Sequence, residues 1–151
     1  MSHSCQAIVF RCMDYRITLT KLAKLLAGIG YPEGSYDLVS LAGSTRNILR
    51  SRNRALFPVP GLNLLTGWIV SRFILLQIQL AVRLHKVSEI VILHHDNCGA
   101  YGLADPAQEE QTQTQDLRKI AEIITAKFPG LAVKSYILKG TASGNFSLLK
   151  V

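Results

Sequence analysis

The fold of this chain is most clearly indicated by one segment, Glu89-Ile90-Val91-Ile92-Leu93-His94-His95-Asp96-Asn97-Cys98-Gly99. Its first half is an uninterrupted apolar run, which predicts a buried strand over Glu89 to His94. Its second half is polar and offers two imidazoles, a carboxylate and a thiol. Ligands of open parallel sheets bind beyond the carboxyl ends of the strands. The second half therefore marks a candidate binding site at a strand end.

The alternation of apolar runs and helical periodicity continues on both sides of this stretch. Further strands are predicted at Ala7 to Phe10, Asp37 to Ala42 and Val133 to Leu138, with a candidate antiparallel edge strand over Asn145 to Val151. Helices are predicted at Ile17 to Ala27, Leu62 to His85 and Ala107 to Phe128. This order is typical of an α/β fold. We expect one domain over residues 1–151, with a mostly parallel β-sheet flanked by helices.

The composition indicates a globular protein with reduced thiols. The chain has 151 residues, of which 48% are hydrophobic and 18% are charged, as in folded domains and unlike disordered chains. Its three cysteines are an odd number, and the first residues lack the pattern of a secretory signal, which argues against a disulfide framework. The apolar runs are too short or too interrupted for a membrane span. We therefore expect a soluble, cytoplasmic protein.

Part of the formal net charge of +7 lies in a basic cluster, which consists of Arg46, Arg50, Arg52 and Arg54. Such a cluster can contact phosphates. No aromatic residues interleave with these arginines, and no nucleic-acid recognition motif accompanies them. The pattern favours a solvated segment, and nucleic acid is not an expected partner.

The predicted helix from Leu62 to His85 has few polar residues, and they do not form one polar face. A helix that is apolar nearly all round is buried on several sides. In a chain of this size the second cover can come from another subunit. We therefore expect a homodimer or an assembly of dimers.

Two predicted strand ends carry residues suited to zinc. Cys12 follows the first strand, and His95 and Cys98 follow the third. If these strands are neighbours, two thiolates and one imidazole meet, a donor set that zinc favours and that leaves a fourth position open. Each residue taken singly also fits a structural role, since a buried cysteine packs as a small hydrophobe. Nearby, Asp14 and Arg16 are candidates for orienting bound water, or they form a surface ion pair.

The same residues resemble the motifs of the β-class carbonic anhydrases. Cys12-Met13-Asp14-Tyr15-Arg16 matches their Cys-x-Asp-x-Arg motif, and His95-Asp96-Asn97-Cys98-Gly99 matches their His-x-x-Cys-Gly motif. The two motifs occur in the family's order, and the order of strands and helices is similar along nearly the whole chain.

The resemblance implies a zinc enzyme that reversibly hydrates carbon dioxide to bicarbonate. Cys12, His95 and Cys98 would hold the zinc ion, and a hydroxide would take the fourth position. Asp14 would orient that hydroxide, and Arg16 would hold Asp14 away from the metal. In some members the equivalent aspartate becomes a fourth ligand in a closed, inactive state.

The sequence also departs from the family's pattern. Many members carry Arg-Asn-Ala-Gly after the second strand, where this chain has Ser40-Leu41-Ala42-Gly43. This difference affects the substrate pocket and not the metal ligands. It leaves open a zinc enzyme for another small substrate, such as carbon disulfide. A non-catalytic, zinc-stabilised protein that binds an acidic partner through the basic cluster is the other alternative.

Overall fold

The computed structural model describes residues 3–49 and 62–151, without the side chains of residues 62–66. The strands in these ranges are β1 (Ala7–Cys12), β2 (Tyr36–Leu41), β3 (Glu89–His95), β4 (Ala132–Lys139) and β5 (Ser147–Lys150). The helices are α1 (Leu19–Gly28), α2 (Leu62–His85) and α3 (Pro106–Lys127), together with a short 3-10 helix over Ser44–Ile48.

The strands form one sheet in the order β2-β1-β3-β4-β5. The first four strands in this order are parallel, and β5 pairs antiparallel with β4. Val9 of β1 lies between Leu38 of β2 and Val91 of β3. The predicted α/β fold is confirmed, including the antiparallel edge strand at the C-terminal end.

Helices cover both faces of the sheet, because successive side chains of a strand point to opposite faces. On one face, Ile8 and Phe10 of β1 pack in a core with residues of α2 and α3. On the other face, Ala7 and Val9 pack in a second core with residues of α1. Burial of each large apolar side chain contributes roughly 1.5–3 kcal/mol. The two cores therefore fix β1 and β3 in the centre of the sheet.

Helix α2 is apolar on its buried face and also on its exposed face. Its described buried residues recur at helical spacing, and they include Ser71, Ile74, Ile78 and Ala81. The opposite side exposes Ile69, Phe73, Leu76, Leu80 and Leu84, which we call the apolar face. Within the described residues, Gly67–His85 alone is long and apolar enough to cross a membrane, with 28% of that stretch buried. Length and composition are weak evidence here, since a core helix passes the same test.

The 3-10 helix over Ser44–Ile48 was not predicted from the sequence. It begins after Gly43, whose backbone is left-handed with φ of 69°, a conformation that glycine adopts without a steric penalty. Of the basic cluster, Arg46 lies in this helix, and Arg50, Arg52 and Arg54 lie outside the described residues. Arg46 places its guanidinium 4.9 Å from the centre of the Tyr101 ring, so it packs against the chain.

Candidate metal centre

The central strands bring Cys12, His95 and Cys98 together. Cys12 is the last residue of β1, and His95 is the last residue of β3, which is its neighbour in the sheet. Cys98 follows in the loop after β3. One ligand atom from each residue lies within 4.8 Å of the others, and all three residues are buried. The carboxyl ends of two adjacent strands thus produce the cluster that the sequence predicted.

The His95 ring is oriented toward this cluster by a backbone contact. Its Nδ1 donates to the carbonyl oxygen of Asp96 at 2.7 Å, which leaves the lone pair on Nε2. That Nε2 is buried and has no hydrogen-bond partner among the described residues. A buried polar atom without a partner carries a desolvation cost of about 1–3 kcal/mol. A cation bound between the three residues would use this lone pair, so the donor set fits zinc.

The two thiols of the cluster differ strongly in pKa. The neighbouring Cys98 thiol, together with His95 and the backbone N–H of Gly43, lowers the pKa of Cys12 to about 4. The Cys12 thiolate in turn raises the pKa of Cys98 well above its ordinary value. Burial opposes the charged form of His95, but the negative charge of the nearby Cys12, helped by that of Asp14, outweighs it and raises the pKa of His95. Cys12 is therefore a thiolate at neutral pH, which is the form that binds metals.

The loop that carries Cys98 is anchored from helix α3. The Glu109 carboxylate accepts hydrogen bonds from the backbone N–H groups of Asn97 and Cys98, each at 2.8 Å. The Gln113 amide donates to the carbonyl oxygen of His95 at 2.8 Å and to Glu109 at 3.1 Å. Both side chains are buried. Helix α3 thus fixes the backbone at both ends of the His-x-x-Cys segment.

His94 and Asp96, which flank His95, point away from the ligand cluster. His94 is buried and contacts the hydroxyl groups of Thr45 at 3.2 Å and Tyr101 at 3.0 Å. Burial, together with the charges of His95 and Arg46, lowers the pKa of His94 to about 3, so its imidazole is neutral. Asp96 accepts hydrogen bonds from the backbone N–H groups at positions 140 and 141, at 2.7 and 3.0 Å. These contacts hold the ends of neighbouring segments together and use neither residue as a ligand of the cluster.

Asp14 and Arg16 form a close pair beside the cluster. Arg16 donates to both carboxylate oxygens of Asp14, from Nε at 2.9 Å and from Nη2 at 2.6 Å, and its backbone N–H donates at 3.0 Å. The same Nη2 donates to the carbonyl oxygen of Asn97 at 2.8 Å. Arg16 holds the pKa of Asp14 at about 2. Asp14 is thus a carboxylate at neutral pH, and its Oδ2 lies 3.9 Å from Nε2 of His95.

Glycine is needed at position 43, beside Cys12, because the backbone is left-handed there and because a side chain would not fit. Its N–H donates to Sγ of Cys12 at 3.4 Å. A Cβ atom at this position would lie 2.9 Å from the Cβ of Ala100, closer than real Cβ contacts. The glycine therefore lets the chain after β2 approach both the ligand and the loop after β3.

Ser40 and Leu41, at the positions of the family's Arg-Asn pair, lie at the end of β2. Ser40 accepts a hydrogen bond from Nε of Arg11 at 3.1 Å, and Arg11 also donates to the carbonyl oxygen of Ile17 at 2.6 Å. Leu41 is partly buried against the core that contains α2 and α3. Arg11 is buried and was not singled out from the sequence.

Glu109 and Gln113 hold the backbone around the candidate ligands, and the sequence analysis did not predict them. Their spacing of four places them on one side of α3, in line with the buried Leu117, Ile120 and Ile124. A carboxylate and an amide that continue the apolar stripe of a helix need hydrogen-bond partners inside the protein. This pattern was the available signal.

Solved structures of carbonic anhydrases share the architecture. The chain is similar to the carbonic anhydrase of Streptococcus mutans, with a TM-score of 0.55 over 98% of this chain and 84% of that one. It is also similar to a β-carbonic anhydrase of Trichomonas vaginalis, with a TM-score of 0.56 over 97% and 84%. The chain has a β-carbonic anhydrase-like fold. Sequence identities of 14% and 13% limit this β-carbonic anhydrase likeness to the fold.

Sequence comparison finds uncharacterized proteins of two Rickettsia species. The chain is 27% identical over 138 residues to one from Rickettsia bellii, which covers 87% of this chain and 74% of the relative. It is 26% identical over 138 residues to one from Rickettsia conorii, covering 87% and 66%. No protein-family model matches the chain.

Proposed function

We propose that this chain is a zinc-dependent enzyme that reversibly hydrates carbon dioxide to bicarbonate in the cytoplasm. The observation that carries the proposal is the buried convergence of Cys12, His95 and Cys98 next to a carboxylate that Arg16 holds in a fixed orientation. The β-carbonic anhydrase-like fold supports it.

The donor set is matched to zinc in charge as well as in type. Two thiolates and one neutral imidazole balance the charge of a divalent cation, and three protein ligands leave a fourth position for reaction. When bound, zinc would act as a Lewis acid on water at that position and so supply a nucleophile.

The role of Asp14 in this proposal is to orient the nucleophile. Arg16 engages both carboxylate oxygens, yet an oxygen has a second lone pair that can accept another hydrogen bond. Asp14 is charged at neutral pH because Arg16 lowers its pKa. Since a charged acceptor forms a stronger hydrogen bond than a neutral one, Asp14 can aim a lone pair of the nucleophile at the substrate carbon.

The role of Arg16 is to keep Asp14 off the metal ligands. Asp14 Oδ2 is 3.9 Å from Nε2 of His95, so a modest side-chain rotation would bring the carboxylate into the ligand cluster. Three hydrogen bonds from Arg16, including one from its backbone, oppose that rotation. A fourth anchor, from Arg16 to the carbonyl oxygen of Asn97, ties the pair to the loop that carries Cys98.

Carbon dioxide is the proposed substrate, and carbon disulfide is the alternative raised by Ser40 and Leu41. A linear, uncharged molecule of either kind needs little polar recognition. Where many members of the family carry a cationic and an amide side chain, this chain has Ser40 and Leu41 at the end of β2, and Leu41 packs against the apolar core. The two substrates must therefore be compared directly.

The test is a zinc analysis paired with stopped-flow hydration of carbon dioxide by the purified, zinc-loaded chain. We expect one zinc bound by Cys12, His95 and Cys98, together with hydration activity. A parallel assay measures hydrolysis of carbon disulfide. Tyr15→Phe is a matched control, because Tyr15 lies between Asp14 and Arg16 but is 88% exposed. Zinc binding without either activity at any pH would reject the enzyme and leave the non-catalytic binding protein.

A homodimer or an assembly of dimers is also part of the proposal. The apolar face of α2, from Ile69 to Leu84, lies opposite the side that packs in the core. Monomeric proteins rarely expose large contiguous apolar patches. A second copy of the chain would cover this face.

A further inference from the structure

A second cluster of metal-type donors lies at the other end of the sheet. Cys5 precedes β1, Asp37 is near the start of β2, and His85 is the last residue of α2. One ligand atom from each of the three lies within 4.8 Å of the others. The length of β1 separates this cluster from Cys12. At a rise of about 3.3 Å per residue, that separation is at least about 16 Å.

The backbone holds the three residues together without help from a cation. The N–H of Cys5 donates to the carbonyl oxygen of His85 at 2.9 Å, which joins the N-terminal segment to the end of α2. Asp37 lies in β2, which pairs with β1 along its whole length. Backbone contacts therefore bring the donors together: Cys5 meets the end of α2, and Asp37 is placed by the pairing of β2 with β1.

The side chains are close enough to share one ion and accessible enough to receive it. Nδ1 of His85 lies 2.7 Å from Oδ2 of Asp37, and their side chains are 41% and 30% exposed. A groove of about 290 Å³ runs past both residues, which gives a hydrated ion a path to them. Cys5 is partly buried against the core beneath.

The contact between His85 and Asp37 engages two of the three residues, while the Cys5 thiol donates only a long hydrogen bond, at 3.6 Å, to the carbonyl oxygen of Ala7. Burial and the negative charge of Asp37 raise the pKa of Cys5, so Asp37 disfavours a bare thiolate beside it. A divalent cation reverses this relation, because it binds the thiolate and the carboxylate together. One thiolate, one carboxylate and one neutral imidazole balance its charge.

We propose that Cys5, Asp37 and His85 form a second zinc-class metal site with a structural role. Sulfur, nitrogen and oxygen donors of this mixture select a borderline-soft ion such as Zn²⁺ over Mg²⁺ or Ca²⁺, which prefer oxygen alone. The ion would tie the N-terminal segment and β2 to the end of α2. It would thereby stabilise the helix that carries the apolar face, without contact with Asp14 or Arg16.

The experiment measures zinc per chain after equilibration with excess Zn²⁺ and dialysis, in the wild type and in single variants. The wild type should retain two equivalents. Cys5→Ser and His85→Gln should each lose one equivalent and keep the hydration activity of the wild type. Cys98→Ser should lose the other equivalent. His3→Ala is the matched control, because His3 is an exposed imidazole two residues from Cys5; it should retain both.

A Co²⁺ titration reports the ligands directly, through the thiolate-to-cobalt absorption band. In the wild type, two binding phases should appear, and Cys5→Ser should abolish one of them. Zinc should also raise the thermal midpoint of Cys98→Ser, but not that of the Cys98→Ser, Cys5→Ser double variant. If the wild type holds a single equivalent of metal that Cys5→Ser retains and Cys98→Ser loses, the second site is wrong and the proposed catalytic ligands stand. One equivalent lost only in Cys5→Ser would support the second site and overturn the proposed catalytic ligands.

Discussion

Asp14 is held from one side by Arg16 and has the ligand cluster on the other, so its charge can be tested without disturbing the metal ligands. Asp14→Asn should retain zinc, because Cys12, His95 and Cys98 remain. Hydration should fall about 10²-fold or more, as for the loss of a positioned acceptor. The measurement is the stopped-flow rate at equal zinc content. An unchanged rate would show that Asp14 and Arg16 form a structural ion pair with no role in the reaction.

Arg16→Ala should lower the activity by a different route. The variant removes two hydrogen bonds to the Asp14 carboxylate and one to the carbonyl oxygen of Asn97. The released carboxylate is then free to move toward Nε2 of His95, which is 3.9 Å away. X-ray absorption of the zinc-loaded variant should detect an added carboxylate ligand that Asp14→Asn lacks. If the Arg16→Ala, Asp14→Asn double variant gains the same ligand, the carboxylate of Asp14 is not its source.

Cys98 tests the ligand assignment itself. Cys98→Ser should lower the zinc content sharply, because a hydroxyl replaces a soft thiolate donor. Elemental analysis of the Cys5→Ser background isolates this centre from the proposed second site. Full zinc occupancy in the Cys5→Ser, Cys98→Ser double variant would show that the ligands are wrong.

At the scale of elements, α3 determines the position of the loop that carries Cys98. The two carboxylate oxygens of Glu109 accept hydrogen bonds from the N–H groups of Asn97 and Cys98. Glu109→Gln replaces one of these oxygens with an NH₂ group, which cannot accept. One buried N–H then lacks its partner, at a cost of about 1–3 kcal/mol. We expect lower stability in urea unfolding and zinc affinity weaker by about 10–100-fold.

Glu110→Gln is the matched control for this prediction. Glu110 is adjacent on α3, but its carboxylate binds Lys139 at the surface, with a 41% exposed side chain. Surface pairs of this kind contribute only about 0–1 kcal/mol. Equal effects of the two variants would mean that helix α3 acts through its general stability and not through the contacts of Glu109.

The elements differ in how far the sequence could reveal them. The central strands could be predicted because β1 and β3 contain uninterrupted apolar runs. The candidate ligands could be predicted because ligands bind beyond the carboxyl ends of parallel strands. The 3-10 helix after Gly43 has no apolar period, and the close approach of Gly43 to Ala100 is a tertiary contact. The contacts of Glu109 connect residues on different elements. Sequence spacing contains no such tertiary information.

At the scale of the whole molecule, the apolar face of α2 has consequences for assembly. Ile69, Phe73, Leu76, Leu80 and Leu84 are 36–57% exposed and recur every three or four residues on one side of the helix. The opposite side of α2 packs on the sheet, so the exposed side faces away from this core. Burial of apolar area stabilises association by roughly 25 cal/mol for each Å². The chain should therefore form a dimer across this face, with twice the mass of the 16.7 kDa protomer.

Charge placed on the apolar face should separate the protomers without unfolding them. Leu76→Glu and Leu80→Glu together add two like charges on one face in each copy, and a dimer would have to bury all four, while a monomer keeps them in water. Light scattering should therefore shift from the dimer to the monomer mass, with an unchanged circular dichroism spectrum. Leu19→Glu is the control, because Leu19 is 65% exposed on α1 and should leave the dimer intact. A wild type that stays at 16.7 kDa in dilute and concentrated samples would contradict the prediction, because the apolar face would then be stable in water without a partner copy.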